Sequence, residues 1–99
     1  MPITGTQHVF TADNIKTAPD ESGVYALFKT GKLVYVGSAT TSIRSRLHRH
    51  QNGEEGECTK SATDYACETT GSPQVREREL LQEYKDDKGT LPDCNDVMP

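Results

Sequence analysis

Two short runs of residues that favour extended backbone, separated by a glycine turn, constrain this chain most. Val24 to Lys29 reads Val-Tyr-Ala-Leu-Phe-Lys, and Leu33 to Gly37 reads Leu-Val-Tyr-Val-Gly. β-branched and aromatic side chains suit a half-buried pleated surface. The Thr30-Gly31-Lys32 link is short enough to fold the runs into an antiparallel hairpin. Alternation places Tyr25, Leu27 and Lys29 on one face and Val24, Ala26 and Phe28 on the other. In the second run Leu33, Tyr35 and Gly37 share a face, so both tyrosines can lie on the same side of the hairpin.

The remaining elements fit around that hairpin. Met1 to Gln7 reads as a loose tail, and Thr11 caps a short helical turn through Asn14 and Ile15, ended by Ala18-Pro19-Asp20. Thr41 or Ser42 caps a helix to about Gln51, which Asn52-Gly53 stops. On it Ile43 and Leu47 form an apolar stripe, while Arg46 and His50, four residues apart, point together. Asn52 to Ser61 is a polar, acidic loop. Ala62 to Glu68 is a third short strand. Pro73 opens a longer helix with Glu77, Leu80, Leu81 and Tyr84 on one side, stopped by Lys88-Gly89. Leu91 to Pro99 is an extended tail. The expectation is an α+β fold, a three-stranded antiparallel sheet flanked by helices. One domain spans residues 1–99, with its core at about 20–96.

Composition narrows the function. A hydrophobic content of 32% and a mean hydropathy of −0.74 indicate a polar but foldable chain. No apolar run approaches the ~18–20 residues that span a bilayer. No basic stretch followed by an apolar one opens the chain, so a cytoplasmic location is expected. Cys58, Cys67 and Cys94 are odd in number and widely spaced, which predicts buried or incidental thiols rather than disulfides or zinc ligands. The net charge of −4 argues against a nucleic-acid partner until its distribution is read. Between Ser22 and Gly53 stand Lys29, Lys32, Arg44, Arg46, Arg49, His48 and His50, with no acid at all. The rest of the chain carries six basic residues against fifteen acidic ones. One continuous positive segment in an acidic protein is the footprint of a phosphate-binding face.

The motifs carry a resemblance. Gly23-Val24-Tyr25 and Tyr35-Val36-Gly37, with the tyrosines ten positions apart, resemble the paired GIY and YIG elements that name a nuclease superfamily. Arg46-Leu47-His48-Arg49-His50 is similar to that family's Arg-containing helix. Glu77-Arg78-Glu79-Leu80-Leu81 resembles the helix bearing its metal-binding glutamate, and Pro92-Asp93-Cys94-Asn95 its closing Pro-x-x-Asn segment. Valine replaces isoleucine in both name-giving tripeptides. Arg44 rivals Arg46 and Glu79 rivals Glu77, but the helical period puts Glu77 on the side of Leu80, Leu81 and Tyr84.

The resemblance implies a metal-dependent endonuclease acting on DNA, with Tyr25, Tyr35, Arg46, His50, Glu77 and Asn95 as site residues. These residue types suit phosphodiester hydrolysis. A carboxylate such as Glu77 can hold one hard divalent cation, Mg²⁺ or Mn²⁺, through oxygen ligands and water. Arg46 offers a permanently charged fork for phosphate oxygens. Tyr25 is the expected proton acceptor from water. A free phenol is only ~0.1% ionised at neutral pH, so the cation, Arg46 and His50 must favour the phenolate. Tyr35 orients the water or a phosphate oxygen, and Asn95 ties the site together or binds phosphate. Lys29, Lys32, Arg44 and Arg49 are the expected DNA-backbone contacts.

Such relatives serve in excision repair, intron homing, restriction and recombination, usually with a separate DNA-binding module. The acidity of this chain predicts weak sequence-independent affinity, so it recognises a nick, flap or branch or relies on a partner protein. The competing readings are a non-cutting nucleic-acid- or protein-binding module of the same fold and a regulatory protein of unrelated fold.

Overall fold

The computed structural model describes residues 6–95, so the tail readings for residues 1–5 and 96–99 lie outside it. In chain order come β1 (His8–Val9), α1 (Ala12–Ile15), β2 (Gly23–Lys29), β3 (Lys32–Ala39), α2 (Ile43–Gln51), α3 (Glu57–Lys60), β4 (Asp64–Thr69) and α4 (Pro73–Lys88). The strands form one antiparallel sheet in the order β1-β4-β2-β3. It therefore has four strands, not the expected three. The extra one is a two-residue edge strand, His8 facing Tyr65 and Val9 facing Asp64. A segment that short has no periodicity to betray it.

The hairpin turns on Thr30 (φ 53) and Gly31 (φ 86), both left-handed, as the tightest hairpin turns require. Its register slips between Leu27 and Phe28, where Leu27 faces Tyr35 but Phe28 faces Leu33. That bulge overturns one expected alternation. Leu33 packs with Phe28 against the α4 side, and Val34 turns inward on the side of Tyr25.

Each sheet face has its own core. On one, Tyr25, Leu27 and Tyr65 pack with Ile15 of α1 and Ile43 and Leu47 of α2. On the other, Val24, Ala26, Val36 and Ala66 pack under Leu80 and Leu81 of α4. The helices start and stop by local chemistry. The Ser42 hydroxyl accepts from the Ser45 amide at 3.2 Å to cap α2. Pro73 sits in the first turn of α4, and Gly89 ends that helix in the left-handed conformation.

The chain after α4 folds back along β3, the outer strand. The Cys94 amide donates to the Val34 carbonyl at 2.8 Å, and the Asn95 side chain takes up both backbone groups of Val36. This return path brings Cys94 to α3, where it forms a disulfide with Cys58 across a separation of 36 residues. The expectation of three incidental thiols is thereby corrected. Only a segment docked on the sheet edge could bring these two together, and spacing carries no sign of that docking. Cys67 remains free. Among the described residues no helix is long and apolar enough to cross a membrane.

Candidate active site

The site begins with two glycines that make room. A Cβ on Gly37 would lie 2.5 Å from the Tyr25 Cζ and Oη and 2.7 Å from the Tyr35 Cε2. A Cβ on Gly23 would collide with the Glu68 carbonyl oxygen and with Ile43 of α2. Neither glycine has a positive φ. Both are needed for close approach rather than for backbone freedom, and Gly37 is what lets the two phenols close over β3.

Tyr25, Tyr35 and His50 form one aromatic cluster. The ring centroids of Tyr25 and Tyr35 are 6.2 Å apart, and those of His50 lie 5.4 Å and 5.0 Å from them. The Tyr25 hydroxyl is 2.7 Å from His50 Nε2. Tyr25 and His50 are both 0% exposed, whereas Tyr35 is half-buried. Burial pushes the Tyr25 phenol well above its ordinary range and neighbouring Tyr35 adds to this, while the charge and hydrogen bond of Arg46 oppose it. Tyr35 is also raised, chiefly by burial, with Arg46 pulling down and Glu77 and Glu55 pushing up. His50 is drawn down to about 4, first by burial and then by Arg46 and Arg49, against the pull of Glu55. It is neutral at physiological pH.

Arg46 stands one helical turn before His50, so α2 presents both to the hairpin. Burial works against its charge, but Tyr25, Glu55 and Tyr35 together outweigh that and keep it protonated. Its Nε is buried and makes no hydrogen bond among the described residues. A buried guanidinium nitrogen without a partner is costly and calls for an acceptor.

Glu77 arrives from the opposite face of the sheet. Its carboxylate Oε1 accepts from the Ser38 hydroxyl at 2.7 Å. Since β3 is an edge strand, groups from both faces can meet around it, and Glu77 is close enough to Tyr35 to raise its pKa. Glu79 instead pairs with Arg76 at 3.4 Å on the surface. Asn95 accepts from the Val36 amide at 2.9 Å and donates to the Val36 carbonyl at 3.0 Å. Its amide is thus engaged in holding β3 at Val36, the middle residue of the second name-giving tripeptide.

The remaining cations are mostly spoken for. Lys32 pairs with Asp93 at 3.1 Å, and Arg49 reaches Glu55 at 2.9 Å and Glu54 at 4.0 Å. Arg44 donates to the Ala18 carbonyl at 3.0 Å, a structural tie between α2 and the chain after α1. Lys29 is exposed at the hairpin end. Three neighbours of the site have no motif to announce them: Glu55, Thr59 and Ser38. Alternation alone could have found Ser38, because it follows Gly37 and must face the α4 side.

A divalent cation, where present, would find a fitting donor set. Glu77 is half-buried and oriented by Ser38, and among the described residues no group of three or more His, Cys, Asp or Glu is gathered. One carboxylate suits a hard ion that keeps most of its water.

The GIY-YIG catalytic domain model matches residues 21–90. Two solved structures superpose with a TM-score of 0.65, at 23% and 22% identity, covering 86% of this chain and 93% of theirs. Both are the GIY-YIG N-terminal endonuclease domain of UvrC from Thermotoga maritima, each a tyrosine-to-phenylalanine point mutant bound to its catalytic divalent cation. At that identity they speak for the fold. No curated protein sequence matches the chain. Matched over more than half its length, the chain belongs to the GIY-YIG nuclease domain family.

Proposed function

We propose that the domain hydrolyses DNA phosphodiester bonds as a metal-dependent endonuclease. The observation that carries this reading is the position of Tyr35. Its half-exposed phenol lies within the fields of both the Arg46 guanidinium and the Glu77 carboxylate, which act on it with opposite sign. A water, a phosphate and a cation need that trio of neighbours.

The roles follow from exposure and charge. Arg46, with an unmatched buried Nε, binds a non-bridging phosphate oxygen. Glu77 holds Mg²⁺ or Mn²⁺, which when bound supplies Lewis-acid stabilisation of the phosphoryl and leaving oxygens. Tyr25 is the proton acceptor that the resemblance implies, but its hydroxyl is fully buried against His50. A general base must touch the water it activates. Tyr35 meets that condition better, and Tyr25 then supports it from behind. Asn95 acts by fixing β3 at Val36.

With Lys32 and Arg49 engaged by acids, few cations are left to follow a DNA backbone. The phosphate-contact contribution to affinity is correspondingly small. The substrate is therefore a DNA whose structure opens it to the site, such as a nick, flap or branch, or DNA delivered by a partner.

The test is cleavage of labelled duplex, nicked and branched DNA with and without Mg²⁺ or Mn²⁺. Divalent-dependent cutting is expected, with Glu77→Ala reducing it by at least about a hundredfold while DNA binding persists. Cutting that survives Glu77→Ala removes the site assignment. Binding without cutting on every substrate replaces the nuclease by a non-cutting binding module.

A further inference from the structure

Where Glu77 leaves α4, the helix is not fastened to the sheet by apolar packing. From Gln74 to Glu79 every residue is exposed except Arg76 and Glu77, and Val75, the apolar side chain of that stretch, is 61% exposed. Buried packing begins only at Leu80 and Leu81. Ser72 provides no side-chain cap, so the first turn would fray if nothing else held it.

What holds it is polar. Arg76 donates through Nε to Glu68 Oε2 at 2.6 Å and through Nη2 to Glu68 Oε1 at 3.2 Å. This two-pronged contact ties α4 to β4, and Glu77 reaches the other way, to Ser38 of β3. The sheet register sets Glu68 and Ser38 on either side of the same buried residue, Val24. Residues paired across a sheet share a face, so the three form one row under α4. Consecutive helix residues project about 100° apart, so Arg76 and Glu77 straddle the row with one contact at each end. A guanidinium fork matched to a carboxylate fixes direction as well as distance. Ser38 steadies the tip of Glu77, and the fork steadies its base.

We infer that Arg76 is a positioning residue: its paired hydrogen bonds to Glu68 seat the first turns of α4 over the row Glu68-Val24-Ser38 and so hold the Glu77 carboxylate at β3, where a divalent cation can take it. The inference rests on the reading of Glu77 as the cation's carboxylate. Position and charge predict different outcomes. By its field alone a guanidinium repels a nearby cation and a carboxylate attracts it, so neutralising Arg76 would tighten metal binding and neutralising Glu68 would weaken it. A pair that acts by position weakens binding when either partner is lost.

The test is a Mn²⁺ titration of the full chain without DNA, read by paramagnetic broadening of the Val36 and Ser38 amide resonances. Arg76→Gln and Glu68→Gln should each raise the midpoint roughly tenfold. The double variant should lose no more than either single one, since all three break the same contact. Glu79→Gln removes the other partner of Arg76, which lies on α4 itself, and should stay within about twofold of wild type. Unchanged or tighter binding by Arg76→Gln overturns the inference, as does a double variant whose loss is the product of the two. Should Arg76→Gln fail to fold, Arg76→Lys keeps the charge without the fork, and a wild-type midpoint for it overturns the inference equally. Glu77→Gln should abolish the broadening. Broadening that survives Glu77→Gln removes the cation assignment beneath the nuclease reading, whereas its loss there beside wild-type titration of Arg76→Gln overturns the positioning role alone.

Discussion

The two faces of the sheet are built on different principles. Under α4 the core is Val24, Ala26, Val36, Ala66, Leu80 and Leu81, apolar throughout. Under α2 the core also encloses Tyr25, His50, Thr59 and Ser42. Burying polar groups is costly unless each is matched, and these four are: Tyr25 to His50, His50 to Thr59, Ser42 to the Ser45 amide; the buried Arg46 Nε is left for an acceptor. Even Tyr65 donates to the Asn14 carbonyl at 2.9 Å. The α4 face supplies non-directional cohesion and delivers a single carboxylate, Glu77, around the strand edge. It also carries an open groove of about 780 Å³ lined by Phe28, Leu33, Leu80 and Tyr84, away from Tyr25, Arg46 and His50. This groove and the Tyr25–His50 cluster are thus on opposite sides. The contrast predicts that stability and the proposed reaction are separable: loss of apolar packing under α4 should spare the reaction, and loss of packing under α2 should not.

The largest expected effect tests the covalent part of that division. The disulfide braces the α2 side alone, since Cys94 packs against that core and Cys58 precedes Thr59. Closing 36 residues of chain restricts the unfolded state by roughly 4 kcal/mol. The double variant Cys58→Ala/Cys94→Ala should lower the unfolding free energy in urea by about that much. Dithiothreitol should do the same to the wild type and nothing to the variant. A loss under about 1 kcal/mol would mean that the hydrogen bonds of Cys94 and Asn95 to β3 hold the segment unaided.

A matched pair of core truncations addresses the division directly. Leu81 and Leu47 are both fully buried, one on each face. Leu→Ala at either should cost about 3 kcal/mol through lost burial and the cavity left behind. Their effects on cleavage per folded molecule should differ. Leu81→Ala is expected to stay within about twofold of wild type, because Glu77 is oriented by Ser38 rather than by Leu81. Leu47→Ala should fall by roughly fivefold or more, since Leu47 anchors the helix between Arg46 and His50, where sub-ångström shifts matter. Equal losses of rate would erase the distinction between the faces.

Much of this was legible from the chain, and the reasons differ by residue. The hairpin, α2 and α4 could be read because periodicity, caps and turn residues are local properties. Glu77 could be preferred to Glu79 on helical period alone, and the two pair with different partners, Ser38 and Arg76. What escaped is non-local. The partner of Cys94 depends on a segment that docks only after the sheet exists, so neither spacing nor count could reveal it. The side of Leu33 depended on a bulge that alternation assumes away. The engagement of Lys32 by Asp93 and of Arg49 by Glu55 joins the basic segment to acids outside it, which a window of like charges hides. The burial of Tyr25 relative to Tyr35 is likewise a property of the packed α2 face, and both read alike as strand tyrosines.

The smallest of the three effects concerns protons. On the α2 face His50 is held neutral, with its pKa drawn from 6.5 to about 4 by burial, and it is faced by Tyr25, Tyr35, Arg46, Arg49 and Glu55. A depressed folded-state value means that the unfolded chain binds more protons between those two pH values. The stability due to the neutral imidazole is therefore complete above about pH 6.5 and is lost as pH falls toward about 4. The loss is on the order of 2–3 kcal/mol. Urea midpoints measured from pH 7.5 to 4.5 should drop for the wild type, with a shallower slope for His50→Gln, which has no titrating group at that position. The pH window distinguishes this from acid loss of surface ion pairs, which has the same sign but sets in lower, through the carboxylate range. Parallel slopes for the two proteins would mean that the imidazole is not held neutral. The α2 face would then enclose a charged ring where its hydrogen bonds to Tyr25 and Thr59 point to a matched neutral one.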